Sequence, residues 1–165
     1  MPPSPDPKQD QKLDSKRERR EFATSTSLPF VGWREWIALP GLGLDRIKAK
    51  VDTGARSSAL HATNLKSFRQ DGKSMVRFEV YPIQHSRAGL VIVETELIDE
   101  RSVRSSSGKA QIRPVIRTAL SLGRKRWPIE LTLTNRDAMG FRMLIGRQAI
   151  RKRFVVDPGR SYLQG

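Results

Sequence analysis

The chain has 165 residues, which suits one domain with a real core and an additional tail. It contains no cysteine, which excludes a disulfide framework and a thiolate metal site, and no apolar run approaches the roughly 18 residues of a membrane-spanning helix. The 31 Lys and Arg residues outnumber the 17 Asp and Glu residues, and the resulting net charge of +14 would attract anionic partners such as nucleic acid, anionic lipid or an acidic peptide.

Residues 1–27 have the composition of a disordered, charged tail. Four prolines open this segment, and residues 9–21 mix both charges with one large apolar residue, Leu13. The tail holds 6 basic and 5 acidic residues, so residues 28–165, the predicted domain, contribute +13 of the net charge. The first thirty residues contain no apolar signal segment, and we therefore expect a cytoplasmic protein without a membrane association.

From Leu28 onward the sequence predicts many short strands. Apolar and polar residues alternate, and turn residues recur at short intervals, as is typical of a mostly β, barrel-like or sandwich-like domain. The predicted strands cover residues 33–39, 44–51, 58–62, 75–82, 90–98, 111–120, 128–134, 143–145 and 154–156, and one short helix is predicted over residues 147–153.

The most informative stretch follows the second predicted strand. Asp52, Thr53 and Gly54 place a carboxylate, a hydroxyl and a backbone without a side chain in one tight turn. Thr53 can lock such a loop by hydrogen bonding, and an acidic residue held at a strand end is well placed for proton transfer. The same tripeptide could also be an ordinary turn without a catalytic role, since Asp and Gly favour tight turns.

Two separated segments resemble the retropepsin-like aspartic peptidases. The first is the Asp52 loop, and the second follows about ninety residues later as Leu144, Ile145, Gly146 and Arg147. In that family an apolar-apolar-Gly strand crosses beside the catalytic loop, so the resemblance implies that these four residues support the loop.

A closer resemblance covers most of residues 30–165. Segments 51–62, 127–136, 143–147, 154–158 and 161–163 are similar to a bacterial and archaeal family that is labelled an ATP-dependent zinc protease. Its members are often found beside RimK-type ligases, which add glutamate tails. The resemblance implies a closed retropepsin-like (acid protease) β barrel with one short C-terminal helix, and a peptidase acting on poly-α-glutamate. Arg56 stands where retroviral members carry an acidic residue, which argues against a generic protein-cleaving specificity.

The residues themselves do not predict a catalytic zinc or any other cofactor. The chain has only two histidines, His61 and His85, and neither begins a His-Glu-x-x-His pattern. We expect His61 to be structural and His85 to lie in a surface loop. A Walker A motif is also missing, so ATP use is not predicted.

A single Asp-Thr-Gly tripeptide predicts a homodimer. Aspartic peptidases need two carboxylates that share a proton, and the chain is too short for two lobes. Asp157 is followed by Pro158, which has no N–H, so we expect no equivalent hydrogen-bonded loop there. The expected arrangement is a two-fold dimer that brings the two copies of Asp52 together.

Residues 101–113 are predicted to form a hairpin with a flexible Ser/Gly tip at 105–108, which is either a flap over the cleft or a solvated hairpin with scattered basic residues. Arg side chains near Asp52 and on this flap would bind the carboxylates of a glutamate chain, such as the tails added by a RimK-type ligase. The candidate substrate-binding residues are Ala55, Arg56, Arg104, Ser106, Gly108, Lys109 and Arg113.

Two alternatives remain open. The basic domain could be a binding module for nucleic acid or an acidic partner on an inactive peptidase fold, although its basic residues are not interleaved with Phe or Tyr as in stacking platforms. A metal-dependent peptidase is the other alternative.

Overall fold

The structure is a computed structural model that describes residues 27–104, 107–135 and 140–165. The predicted tail, apart from Ser27, lies outside the described residues, as do Ser105 and Ser106 at the predicted flap tip.

The described chain is mostly β, as predicted. Its strands, in order, are β1 (Phe30–Val31), β2 (Arg34–Leu39), β3 (Leu44–Asp52), β4 (Ser58–His61), β5 (Thr63–Gln70), β6 (Lys73–Val80), β7 (Val91–Glu96), β8 (Asp99–Arg104), β9 (Ala110–Leu122), β10 (Lys125–Thr134), β11 (Met143–Gly146) and β12 (Val155–Val156). A 3-10 turn covers Pro40–Leu42, and helix α1 covers Arg147–Ile150.

Six strands form a closed ring, in agreement with the predicted barrel. The neighbours run β10-β4-β11-β3-β2-β9, and β9 pairs again with β10 to close the circuit. The junction between β2 and β9 is short, with Ala38 opposite Ser121. Strand β8 extends the sheet from β9, while β5, β6 and β7 form a separate three-stranded sheet. The ring therefore holds the strand that ends at Asp52 between two neighbours, β2 and β11.

Much of the core comes from the strands of this ring and follows from their period-2 pattern, and Val76, Phe78 and Val80 of β6 belong to the same buried cluster. On β3, Ile47, Ala49 and Val51 are buried while the residues between them are half-buried. On β10, Ile129, Leu131 and Leu133 are buried in the same way. Each such aliphatic side chain stabilises the fold by about 1.5–3 kcal/mol relative to an exposed one, so alternation fixes which face of each strand points inward.

Three details differ from the sequence predictions. Strand β5 was not predicted because Leu65 and Phe68 are only half-buried and most of its other residues are exposed and polar. Helix α1 ends at Ile150 rather than at residue 153, and Lys152 adopts a left-handed φ of 65°. The predicted hairpin at 101–113 is present, but its first arm is a regular strand, β8, which pairs with β9 from Asp99 to Arg104.

Among the described elements, no helix has the length and apolar character needed to cross a bilayer.

Candidate active site

The Asp52 carboxylate is held by the backbone that follows it. Asp52 is the last residue of β3 and is half-buried. Its Oδ1 accepts hydrogen bonds from the N–H of Gly54 at 3.0 Å and from the N–H of Ala55 at 3.2 Å. The same Ala55 N–H also points to the Asp52 carbonyl, at 3.2 Å. Two donors on one oxygen fix the orientation of the carboxylate.

Strand β11 lies beside this loop. It pairs in parallel with β3, so that Ile145 lies opposite Val51 and Gly146 lies opposite Asp52. A Cβ atom on Gly146 would lie 2.5 Å from the carbonyl carbon of Ser57, so only glycine allows this approach. The Gly146 N–H donates to the buried hydroxyl of Ser58 at 3.1 Å.

The start of α1 binds the carbonyl groups of the same loop. The Arg147 N–H donates to the Ala55 carbonyl at 2.8 Å, and the Gln148 N–H donates to the Arg56 carbonyl at 3.2 Å. The Arg147 guanidinium donates through Nη1 to the Gly54 carbonyl at 3.1 Å. Arg147 therefore contacts the loop twice, once through its backbone and once through its side chain.

Thr53 does not lock the loop in this structure. Its side chain is exposed, and in the described part of the chain its hydroxyl makes no hydrogen bond. The contacts that hold the loop come instead from Ser58 and Arg147, together with the Asp52 carboxylate itself.

The predicted substrate-binding residues fall into two groups. Ala55 and Arg56 lie in the Asp52 loop, where Ala55 is half-buried and Arg56 is exposed. The others belong to the β8–β9 hairpin: Arg104, Gly108 and Lys109 are exposed, Arg113 is buried at 5% exposure, and Ser106 lies outside the described residues. The burial of Arg113 disfavours direct contact with a substrate.

The β8–β9 hairpin is tied to the ring by Arg101. Its guanidinium contacts Glu130 on β10 at 2.6 Å and Asp99 on its own strand at 2.9 Å. The hydrogen bond from Arg101 holds the pKa of the Glu130 carboxyl, and likewise the pKa of the Asp99 carboxyl, below its ordinary value. The base of the hairpin is thus held by ion pairs, and the described residues near its end, Ser107 and Gly108, are exposed.

The expectation for Asp157 was wrong. Its Oδ1 accepts a hydrogen bond from the Gly159 N–H at 3.1 Å. The donor lies two residues after Asp157, so the missing N–H of Pro158 does not prevent this bond. Asp157 lies beside β1, with its own N–H donating to the Val31 carbonyl at 2.8 Å.

The two histidines lie where they were expected. His61 is buried in β4 at 4% exposure, and His85 is exposed in the loop between β6 and β7 with a left-handed φ of 59°. Within residues 27–104, 107–135 and 140–165, no three His, Cys, Asp or Glu side chains form a group that could hold a metal ion.

Sequence reasoning missed a basic and aromatic face beside Asp52. Trp36 on β2 lies opposite Lys48 on β3, and Tyr162 from the C-terminal segment stacks on Trp36 with ring centroids 5.8 Å apart. The period-2 spacing of Trp36 and Arg34, and of Lys48, Lys50 and Asp52, was the available signal. It was missed because the partners of these residues come from distant parts of the chain.

Comparison with protein families assigns nearly the whole domain to one family model. The model described as RimB-like, "Retropepsin-like aspartic endopeptidase RimB", matches residues 30–165. A solved structure from Legionella pneumophila, described as a protein of unknown function (DUF785), is similar with a TM-score of 0.71 at 30% identity. The similarity covers 84% of this chain and 100% of that one.

Several curated relatives carry the name "Probable alpha-L-glutamate ligase". The one from Parasynechococcus marenigrum is 51% identical over 135 residues, which are 82% of this chain and 29% of that protein. The one from Shewanella pealeana is 46% identical over 135 residues, which are 82% of this chain and 30% of that protein. This chain therefore spans about 30% of the length of the curated relatives that it matches.

Proposed function

The chain belongs to the RimB-like family of retropepsin-like aspartic endopeptidases, and we propose that it cleaves peptide bonds in glutamate-rich chains as a homodimer. The observation that carries this proposal is the Asp52 loop. Its carboxylate accepts two backbone hydrogen bonds and is half-buried, so it is oriented and still accessible.

The proposed chemistry needs two carboxylates. One Asp52 carboxylate removes a proton from water, and the resulting hydroxide attacks the carbonyl carbon of the scissile amide. The other Asp52, which is protonated, donates its proton to the carbonyl oxygen. The first Asp52, now protonated, gives its proton to the nitrogen as the C–N bond breaks, while the second Asp52 takes a proton from one hydroxyl of the tetrahedral intermediate. An acid and an amine are released, and the pair again shares one proton.

Each chain supplies one such loop, so a two-fold axis next to Asp52 would complete the pair. The exposed side chain of Thr53 and the exposed Gly54 lie in the loop that this arrangement would bring to the axis. The contacts of Gly146 and Arg147 would then keep each loop in a fixed position relative to its partner.

Two observations support an acidic substrate. The domain carries a net charge of +13, which favours the approach of a polyanionic chain. Relatives that share this domain are named glutamate ligases, so the domain occurs in longer proteins whose name refers to glutamate chemistry. A chain of glutamates, including tails added by a RimK-type ligase, would fit both observations.

The test compares wild-type protein with Asp52→Asn on an oligoglutamate and on a neutral peptide of equal length. We expect cleavage of the oligoglutamate, little cleavage of the neutral peptide, and a loss of at least about 100-fold in Asp52→Asn. The matched control is Asp45→Asn, an exposed carboxylate at the other end of β3. Cleavage that survives Asp52→Asn but is lost with a chelator would instead support a metal-dependent peptidase.

A further inference from the structure

The outer face of β3 carries a row of cations that leads away from Asp52. Along this strand Ile47, Ala49 and Val51 point into the core, so Lys48 and Lys50 project on the same side as Asp52. The row is continuous with the candidate active site.

Strand β2 extends this face sideways. Arg34 lies opposite Lys50 and Trp36 lies opposite Lys48, and residues paired in this way project on one face of the sheet. We call the set of Arg34, Trp36, Arg46, Lys48 and Lys50 the cationic face.

Three of the four cations of this face, Arg34, Arg46 and Lys48, lie against aromatic rings. The Arg46 guanidinium lies 4.2 Å from the centre of the Trp36 ring, and the Lys48 ammonium lies 5.2 Å from it. The Arg34 guanidinium lies 5.1 Å from the Tyr162 ring and donates through Nε to the Ser161 hydroxyl at 3.1 Å. Stacking of this kind orients the charges and leaves their outward N–H groups available.

These four cations are not neutralised by carboxylates. Among the described residues, none of Arg34, Arg46, Lys48 and Lys50 forms an ion pair. The nearby carboxylate of Glu35 is buried on the opposite side of β2, where it accepts hydrogen bonds from backbone N–H groups. Asp45 is the exposed carboxylate at the far end of the row.

A cleft of about 330 Å³ lies where the row ends. Trp36, Arg46 and Lys48 form one wall, and Pro82, Ile83 and Gln84 from the loop between β6 and β7 form the other. The exposed Ile83 gives this wall an apolar surface that the methylene groups of a glutamate side chain could cover.

From this arrangement we infer that the cationic face is a binding site for an extended polycarboxylate peptide, running from Asp52 to the cleft beside Trp36. Lys48 and Lys50 are about 6.6 Å apart along the strand, which matches the spacing of alternate side chains in an extended chain. The inference rests on the proposed function only for the substrate class.

The same contacts disfavour single-stranded nucleic acid as the occupant. A base needs a free aromatic surface on which to stack. The Trp36 ring is already in contact with Tyr162 and Arg46, so a carboxylate that accepts from the outward N–H groups is the better match.

The test measures binding without catalysis. Asp52→Asn protein is titrated against a fluorescently labelled hexaglutamate, with and without the further pair Arg46→Gln and Lys48→Gln. The matched control pair is Lys66→Gln and Lys73→Gln, which removes the same charge from exposed positions on β5 and β6. Circular dichroism verifies that each variant is folded.

We expect the first pair to weaken binding at least tenfold and the control pair to weaken it less than threefold. The inference would be overturned if both pairs of substitutions weakened hexaglutamate binding equally, or if Arg46→Gln with Lys48→Gln did not weaken it. It would also be overturned if a labelled oligonucleotide bound more tightly than hexaglutamate and lost affinity only with Arg46→Gln and Lys48→Gln. If only Arg46→Gln with Lys48→Gln weakens hexaglutamate binding, but the wild-type protein fails to cleave oligoglutamate, the proposed function is rejected and the binding site is retained. If the protein cleaves oligoglutamate and Arg46→Gln with Lys48→Gln leaves the KM unchanged, the binding site is rejected and the proposed function is retained.

Discussion

Gly146 lies directly opposite Asp52 in the parallel pairing of β11 with β3, and a Cβ atom on Gly146 would meet the Ser57 carbonyl oxygen at 2.6 Å. Strand β11 is therefore in contact with the backbone of the Asp52 loop itself. Its backbone at Gly146 is extended, with φ of −81°, so the requirement for glycine here is one of space rather than of conformation.

Gly146→Ala should destabilise the fold and abolish cleavage. The added methyl group meets backbone atoms that cannot rotate away, and overpacking of this kind costs about 1–3 kcal/mol. Denaturant unfolding and a cleavage assay measure the two effects. Gly159→Ala is the control, because its added Cβ would make an ordinary contact of 3.5 Å with Asp157. Equal stability of the two variants would contradict the role of Gly146.

Arg147→Gln should lower cleavage about 10- to 100-fold with little change in stability. The side chain is exposed, but its bond to the Gly54 carbonyl fixes the loop that carries Asp52, and small misplacements of catalytic groups are costly. Steady-state kinetics should show the loss in kcat. Arg151→Gln, an exposed change one helical turn away, should leave kcat within about twofold. Similar kinetics for both variants would show that the Gly54 contact does not matter.

Glu35→Ala should release the C-terminal residues. The Glu35 carboxylate is fully buried and accepts hydrogen bonds from the N–H groups of Gly32, Leu163 and Gln164. Its removal leaves one buried and two partly buried N–H donors without their acceptor, which costs about 1–3 kcal/mol. Hydrogen exchange at Leu163 and Gln164 should accelerate, whereas Glu100→Ala, at an exposed position, should not change it. Unchanged protection in Glu35→Ala would contradict this assignment.

The link from Arg101 to Glu130 should add a small stability that depends on pH. Because the folded-state pKa of Glu130 is lowered from its ordinary value of 4.5, the contribution is complete above that value and is lost as the pH falls through the lowered one. The pair is exposed, so the effect should be about 0.5 kcal/mol. The difference in unfolding free energy between wild type and Glu130→Gln should be present at neutral pH and vanish once the pH has fallen below the lowered pKa of Glu130. A difference that grows on acidification would contradict this reading.

Much of the ring could be predicted from the sequence because its long strands alternate buried and more exposed residues over much of their length. β3 and β10 bury alternate aliphatic residues, and that alternation is visible in a single chain. Strand β5 could not be predicted, since it gains its partners from the three-stranded sheet rather than from a buried face of its own.

The Asp52 loop and its contact with Gly146 could also be predicted from the sequence, because glycine marks a close approach and the two motifs resemble one family. The Glu35 cluster and the cationic face were not. Glu35 meets Leu163 across 128 residues, and Trp36 meets Tyr162 only once the C-terminal segment has folded over β2. Such pairings depend on tertiary contacts that no local pattern encodes.

The central claim is that activity requires the Asp52 carboxylates of two subunits. The most direct measurement mixes a fixed amount of wild-type protein with a tenfold excess of Asp52→Asn protein, allows the subunits to exchange, and follows oligoglutamate cleavage. Random pairing would leave roughly one tenth of the wild-type subunits in fully wild-type dimers, so activity should fall to about that fraction. Activity that stays constant at every ratio would mean that each chain works alone, and the account would be wrong.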